Sequence, residues 1–490
     1  MSWTKEDLHQ LVTTKLADEL FIVVSNREPY IHVLSNDEIK CIVPASGLTV
    51  ALDPVMRACG GTWVAHGSGN ADKRVVDNKN RILVPPELSC YTLKRIWLTR
   101  EEEEGYYLGF SNEALWPLCH IAYVPPKFDE SDWDFYKNVN RCFAEAVLDE
   151  IGGRKAFVFI QDYHLALLSR LIKAGNHKVI TAQFWHIPWP NPEAFRICPW
   201  GEELLDGLLG NDMLGFHIKY HCDNFIETVR LMLESRVDHE RLAVSRGGKT
   251  TIVRPFPISV DFQRIAAEAD KPEIKSEIES IRNRWQLKNE VIGIGIDRLD
   301  YTKGIPHRIR ALDTFLSRYP EYQGRVVFFQ LGETSRIQIK KYQELNVEID
   351  QLVEQVNGKY QTDSWKPIIF VHEHLSQLTL TAFKRLADFC IVSSLHDGMN
   401  LVAKEYVSSR TDEDGVLILS QFTGAARELT DAVLINPYAT DHFAESIKKA
   451  IEMSPEQRKA KMRKLRKSIE ENNIYKWAGS IISELVSLGI

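Results

Sequence analysis

The stretch Ser393 to Tyr406, SSLHDGMNLVAKEY, sets an acid, a glycine and an amide between two patterns of different kind. FCIVSS before it is an apolar run of strand length, and NLVAKEYV after it can start a helix. A helix N-terminus carries unpaired backbone N–H groups and a partial positive charge, so it can hold a phosphate. Gly398 lets the main chain come close to a ligand. Glu405 lies about 6 Å along the axis from Leu401. With a diphosphate on the first turn, its carboxylate could reach a ribose beyond. A plain strand-turn-helix with a capping aspartate accounts for the same residues, and on this stretch alone both readings stay open.

Other polar clusters end apolar runs in the same way. DRLDYTKG follows VIGIGI and offers Arg298 and Lys303, a planar fork and a point charge that can converge on one anion. Two surface cations are the competing reading. GETSR follows RVVFFQL and adds Arg336, while SNREPY follows the first run and adds Arg27. ASGL brings Gly47, a backbone position open to a ligand, and QDYHL brings Asp162. WHIPWP sets His186 among tryptophans and prolines, a rigid apolar rim suited to a sugar ring, although a histidine beside aromatics is more often structural. YYLGFSNEALWP supplies Tyr107 and Trp116, which core packing explains equally well.

These residues need strands beneath them. FIVVS, TWVAH, AFVFIQ, VITAQFW, VIGIGI, RVVFFQL, PIIFVH, FCIVSS and GVLILS are near-continuous apolar runs, most followed by helical patterns. That alternation predicts an α/β protein with parallel sheets covered on both faces. In open α/β sheets ligands bind beyond the carboxyl ends of the strands. Polar endings spread from SNREPY to LHDGMN suggest two sheets facing one cleft. A boundary is expected near VRPFPISVDF (253–262), with the second half restarting at VIGIGIDRLD. The stretch NNIYKWAGSIISELVSL reads as an amphipathic helix able to pack on either domain.

At 490 residues the chain is long for one core. It is 44% apolar and 26% charged, ordinary for a globular protein, and its net charge of −7 argues against a general affinity for nucleic acid or anionic membrane. MSWTKEDLHQL does not read as a signal peptide, and no run has the length of a membrane span. The eight cysteines, with no CxxC, fit a reducing cytoplasm.

Several motifs are better declined. RGGKTT (246–251) imitates the end of a phosphate-binding loop but lacks the first glycine, since Ala243 stands there; a turn between strands is expected. His217 and His221 have zinc-helix spacing without an evident third ligand, so no metal is expected. KAKMRKLRK (459–467) reads as the solvated face of a helix capped at Ser454, and EEEE (101–104) as surface.

In this order, SNR, ASGL, FSNEALWP, DYHL, HIPxP, RLDYxKG, TSR, DGMNLVAKEY and GVLILSQFTGAARELTDAVLINPY resemble the trehalose-6-phosphate synthase family, retaining glycosyltransferases that also include glucosylglycerol-phosphate synthase. The likeness runs from about residue 20 to residue 480 and implies the GT-B fold: two Rossmann-like domains with parallel sheets facing a central cleft. The implied division is an acceptor-binding domain over 1–258, a nucleotide-sugar-binding domain over 259–473, and a C-terminal helix over 474–490 crossing back to the first.

The resemblance also assigns roles. Asp397 and the backbone of Gly398, Met399 and Asn400 hold the donor glucose. The amides from Asn400 through Leu401 to Val402 meet the diphosphate, and Glu405 takes the ribose. Arg298 and Lys303 neutralise the leaving group, His186 contacts the glucose 6-hydroxyl, and Gly47 borders the donor. Arg27, Tyr107, Trp116 and Arg336 surround the acceptor phosphate, and Asp162 meets the acceptor sugar. Arg298, Lys303, Asp162, His186 and Asp397 form the expected catalytic set.

The implied reaction moves glucose from a nucleotide sugar, with UDP-glucose expected, to glucose 6-phosphate, with retention. The resemblance places no carboxylate where a double displacement would need one. Catalysis is then electrostatic, without metal or cofactor. REPY, TWVA and LKRIWLT lean toward the glucosylglycerol-phosphate branch, with glycerol 3-phosphate as acceptor and ADP- or GDP-glucose as donor; TSR and YYxxFSN lean back. A non-catalytic homologue that binds sugar phosphates would lack some of the charged set, and all of it is present. A pyridoxal-phosphate phosphorylase would need a lysine pocket that the sequence does not place. No phosphatase motif follows, so the chain reads as the synthase half alone. A cytoplasmic enzyme is expected, with assembly into a homo-oligomer left open.

Overall fold

Parallel strands between two helical layers must be apolar along their whole length. Ala156–Gln161, Phe389–Val392 and Val416–Ser420 are buried at every position. The computed structural model describes residues 2–16, 19–44 and 47–487. The chain forms two compact units. One runs to Ile258 and takes in the segment from Ile474 onward; the other is Ser259–Asn473.

The first unit holds a ten-stranded sheet. Its parallel strands are ordered Lys249–Pro255, Met213–Phe216, Val179–Phe184, Ala156–Gln161, Leu20–Arg27, Thr62–His66, Tyr91–Ile96. Antiparallel strands close both edges. The chain enters at Leu20–Arg27, builds toward Tyr91–Ile96, then returns to build the other way from Ala156–Gln161. The winding therefore reverses between Leu20–Arg27 and Ala156–Gln161, a topological switch point.

The second unit is a six-stranded sheet of parallel strands, ordered Ile368–Val371, Val326–Glu333, Val291–Arg298, Phe389–Val392, Val416–Ser420, Val433–Ile435. Its winding reverses between Val291–Arg298 and Phe389–Val392. The C-terminal helix Ile474–Ser487 packs within the first unit, where Trp477 Nε1 donates to the Phe256 carbonyl (3.2 Å) and Glu484 pairs with Arg254 (2.7 Å).

RGGKTT is a hairpin turn between Ala243–Arg246 and Lys249–Pro255, with Gly247 and Gly248 at positive φ. The basic run lies on the helix Pro455–Glu471, started by a capping box of Ser454 and Gln457, and Glu101–Glu104 lie largely at the surface. His217 precedes the helix Lys219–Met232 that carries His221, so the two do not form a zinc-helix pair. Among the described residues no group of three potential ligands gathers, the cysteines are free thiols, and no helix is long and apolar enough to cross a membrane. Gly47 is exposed and opens the helix Gly47–Cys59; Ala45 and Ser46 of the same motif lie outside the described residues.

Candidate active site

Both switch points carry the residues singled out by type and spacing. In the first unit, Arg27 ends the strand Leu20–Arg27, and Ser25 Oγ donates to its carbonyl (2.7 Å). Its exposed guanidinium donates from Nη2 to the Tyr107 hydroxyl (2.9 Å). Tyr107 stands in a π-helical stretch, Glu103–Leu115, a geometry that recurs at functional sites. Its ring stacks on His164 (5.6 Å, 16°), which stacks on Tyr163 (4.0 Å). Trp116 is buried behind them against His120 and Tyr163, inside the aromatic core rather than at its surface.

Asp162 follows the strand Ala156–Gln161 with φ 72° and ψ 175°, a region almost reserved for glycine. Holding an aspartate there costs on the order of 1–3 kcal/mol, and such strain clusters at functional sites. Its Oδ1 accepts from the amides of Tyr163 (3.0 Å) and His186 (3.2 Å), which fixes the carboxylate at the strand end. His186 donates from Nε2 to Gln161 Oε1 (2.9 Å). Burial, with His217 and His164 adding, holds the imidazole well below the usual histidine range. It is therefore neutral at pH 7, with Nδ1 as an acceptor suited to a sugar hydroxyl.

In the second unit, Arg298 ends the strand Val291–Arg298 and Lys303 ends the turn Tyr301–Lys303. Gly304, at φ 64°, leads into the helix Ile305–Arg318; an added Cβ would lie 2.3 Å from the Ser393 carbonyl oxygen, so only glycine brings the two switch-point loops together. Lys303 Nζ donates to Asp397 Oδ2 (2.6 Å), which also accepts from Ser394 Oγ (3.1 Å) and Asn400 Nδ2 (3.2 Å). Asp300, between the two cations in sequence, is buried. Its Oδ2 accepts from Arg336 Nη1 (3.2 Å) and the Tyr342 hydroxyl (3.0 Å). Burial alone would raise its pKa, but Arg336 and Arg298 hold it below the ordinary carboxylate value.

Asn400, not an aspartate, caps the helix Leu401–Ser409: at φ 79° its side chain accepts from the Ala403 amide (3.1 Å). The amides of Leu401 and Val402 precede the first intrahelical bond. The Gly424 and Ala425 amides donate to the carbonyls of Asp397 (3.2 Å) and Met399 (2.9 Å). The Asp397 and Met399 carbonyls are therefore engaged within the protein. The packing is tight, since a Cβ on Gly424 would fall 2.0 Å from the Gly398 carbonyl oxygen. Three cations beside two carboxylates, with a helix N-terminus facing them, leave this end of the sheet net positive.

Arg27, Tyr107, Asp162 and His186 thus gather at the first switch point, and Arg298, Lys303, Arg336, Asp397 to Val402 and Glu405 at the second. The sequence reading missed Asp300, although it stands inside DRLDYTKG. It also missed Gln161, His164 and Lys384, whose partners His186, Tyr107 and Glu405 stand on other elements.

The motifs REPY, TWVA and LKRIWLT prove to be neighbours in the first unit, and REPY and LKRIWLT meet in one buried ion network. Arg95 Nε donates to Glu28 Oε2 (2.7 Å), Arg95 Nη2 pairs with Asp72 (2.9 Å), and Trp63 Nε1 donates to Ser25 Oγ (2.8 Å). Burial and a hydrogen bond to Asp72, against the pull of Arg95, push Glu28 up to about 8. Burial is the larger influence, so the neutral form of Glu28 is favoured here.

Comparison with known proteins agrees with this geometry. The profile of Glycosyltransferase family 20 matches residues 19–487. A UDP-forming alpha,alpha-trehalose-phosphate synthase of Botryotinia fuckeliana is 33% identical over 474 residues, 96% of this chain and 89% of that protein. An alpha,alpha-trehalose-phosphate synthase from Burkholderia xenovorans, in complex with glucose-6-phosphate, superposes with a TM-score of 0.85 at 29% identity, covering 95% of this chain and 100% of that one. A trehalose-6-phosphate structure from E. coli, bound with UDP-2-fluoro glucose, gives 0.84 at 30% identity, covering 95% and 99%.

Proposed function

The chain belongs to glycosyltransferase family 20, and on that premise we propose that it transfers glucose from UDP-glucose to glucose 6-phosphate, keeping the α-configuration and giving trehalose 6-phosphate. The observation that carries this reading is the charge at the second switch point. Arg298 ends a strand, Lys303 ends the turn after it, and the Leu401 and Val402 amides open a helix, a cationic set suited to a departing diphosphate.

In this reading Asp397 and the amides of Gly398 to Asn400 take the glucose, and Glu405 takes the ribose. His186 accepts from the glucose 6-hydroxyl. Arg27, Tyr107, Trp116 and Asp162 serve the acceptor. Arg336 is a candidate for its phosphate, with a guanidinium already oriented by Asp300 and Tyr342. Asp397 is a poor nucleophile, because one of its oxygens already receives an ammonium, a hydroxyl and an amide. The bond from C1 to the diphosphate oxygen breaks, the acceptor oxygen bonds to C1 on the same face, and its proton passes to a diphosphate oxygen. Cations that stabilise the departing charge do most of the work.

The motifs that lean toward a glycerol 3-phosphate acceptor also have packing roles: Arg95 pairs with Glu28, and Trp63 donates to Ser25, inside the first unit. The test crosses UDP-, ADP- and GDP-glucose with glucose 6-phosphate and glycerol 3-phosphate. UDP-glucose with glucose 6-phosphate should give the highest kcat/KM. A higher value with glycerol 3-phosphate overturns the acceptor, and a higher value with another nucleotide overturns the donor.

A further inference from the structure

Adjacent residues of the helix Leu401–Ser409 carry opposite charges into separate ion pairs. Lys404 Nζ donates to Glu428 Oε2 (2.6 Å), the residue that follows the turn Gly424–Arg427. Glu405 Oε2 accepts from Lys384 Nζ (2.5 Å), which reaches over from the last turn of the helix Gln377–Leu386. The Lys384 side chain is 6% exposed and that of Glu405 is 18% exposed. A ligand therefore meets this pair from the carboxylate side, with the ammonium behind it.

We propose that Lys384 is a positioning residue that sets Glu405 to receive the ribose hydroxyls of the donor, an inference that rests on the donor reading above. A carboxylate has room for several donors. The ammonium occupies one oxygen and leaves the other to a vicinal diol. A glutamate held before the ligand arrives need not be ordered on binding, so the contact is pre-organised. Lys404 and Glu428 form a pair of like chemistry whose acid follows the turn, and they supply the control.

The test is calorimetric binding of UDP and of 2′,3′-dideoxy-UDP to the full chain as wild type, Lys384→Met, Glu405→Gln and the double variant. Lys384→Met should weaken UDP by about tenfold, the scale of one charge-assisted hydrogen bond. It should leave dideoxy-UDP within about twofold, and the double variant should bind UDP no more weakly than Glu405→Gln. Lys404→Met, by contrast, should change both ligands by the same factor. Equal weakening of UDP and dideoxy-UDP by Lys384→Met, or a further loss in the double variant, overturns the inference and leaves the donor reading standing. Should Lys384→Met not fold, the comparison of the double variant, which buries no stranded carboxylate, with Glu405→Gln decides alone. Wild type that binds no UDP overturns the donor reading itself.

Discussion

The two switch points share a topology and differ in chemistry. In the second unit the strand ends are dense in charge: Lys303 on Asp397, Arg336 on Asp300, Arg298 beside them, and a helix N-terminus opposite. In the first unit they are held by neutral contacts: a strained aspartate capped by amides, a neutral histidine on a glutamine, and an aromatic stack ending in one arginine. A departing diphosphate needs charge already in place. A sugar hydroxyl needs direction, which amides and imidazoles supply without the cost of burying ions. The same fold serves either need because the loops after the strands, not the sheet, carry the difference.

The largest break in this comparison is Arg336→Ala. It strands buried Asp300, and leaving a buried charge uncompensated costs about 3–5 kcal/mol of stability. Urea unfolding should show the loss, and a change under 1 kcal/mol would mean that the pair is not the brace described. Arg298→Ala should leave the fold intact and lower turnover by more than ~100-fold, near 3 kcal/mol of barrier. Near-normal turnover in a folded variant removes Arg298 from the leaving-group site.

Asp162→Gly relieves the positive-φ strain while deleting two caps. Stability should stay within about 1 kcal/mol of wild type while kcat/KM for the acceptor falls at least tenfold. A parallel fall in the two would make Asp162 a structural residue. The smallest effect is expected at Glu28→Gln, because the carboxyl already holds a proton at neutral pH, and the loss at pH 7 should be below about 1 kcal/mol. A carboxyl whose folded pKa is raised contributes stability in full below its unfolded value of 4.5, and that contribution is lost as pH rises through about 8. Wild type should therefore lose this contribution between about pH 4.5 and 8, and Glu28→Gln should flatten that slope. Asp300 has the opposite sign: its lowered pKa adds stability above the ordinary aspartate range, lost as pH falls through the folded value.

Much of this was legible in the chain. FCIVSS and AFVFIQ read as strands because a strand buried on both faces has no room for polar residues, and the polar turn after each run is where a parallel sheet exposes its ends. The strands away from the two sheet centres were less visible. Glu38–Ile42 is exposed throughout, and Tyr91–Ile96 contains Lys94 and Arg95, whose charges are matched by Asp149 and Glu28 far along the chain. The π-helical stretch has no periodicity to announce it. Asp397 and Glu405 could be found from their motif. Their partners Lys303 and Lys384 come from other elements, so that Lys384, within FKRLADF, reads as one more surface charge. Local pattern reports what a residue is, and only the fold reports what it faces.

The proposed division of labour between the two units is tested most directly by titrating UDP and glucose 6-phosphate separately into wild type, Arg298→Ala and Arg27→Ala. Arg298→Ala should weaken UDP by at least about tenfold and leave glucose 6-phosphate within about twofold, while Arg27→Ala should do the reverse. Weakening of both ligands by both substitutions, or a loss of UDP in Arg27→Ala with glucose 6-phosphate unchanged, would contradict the account.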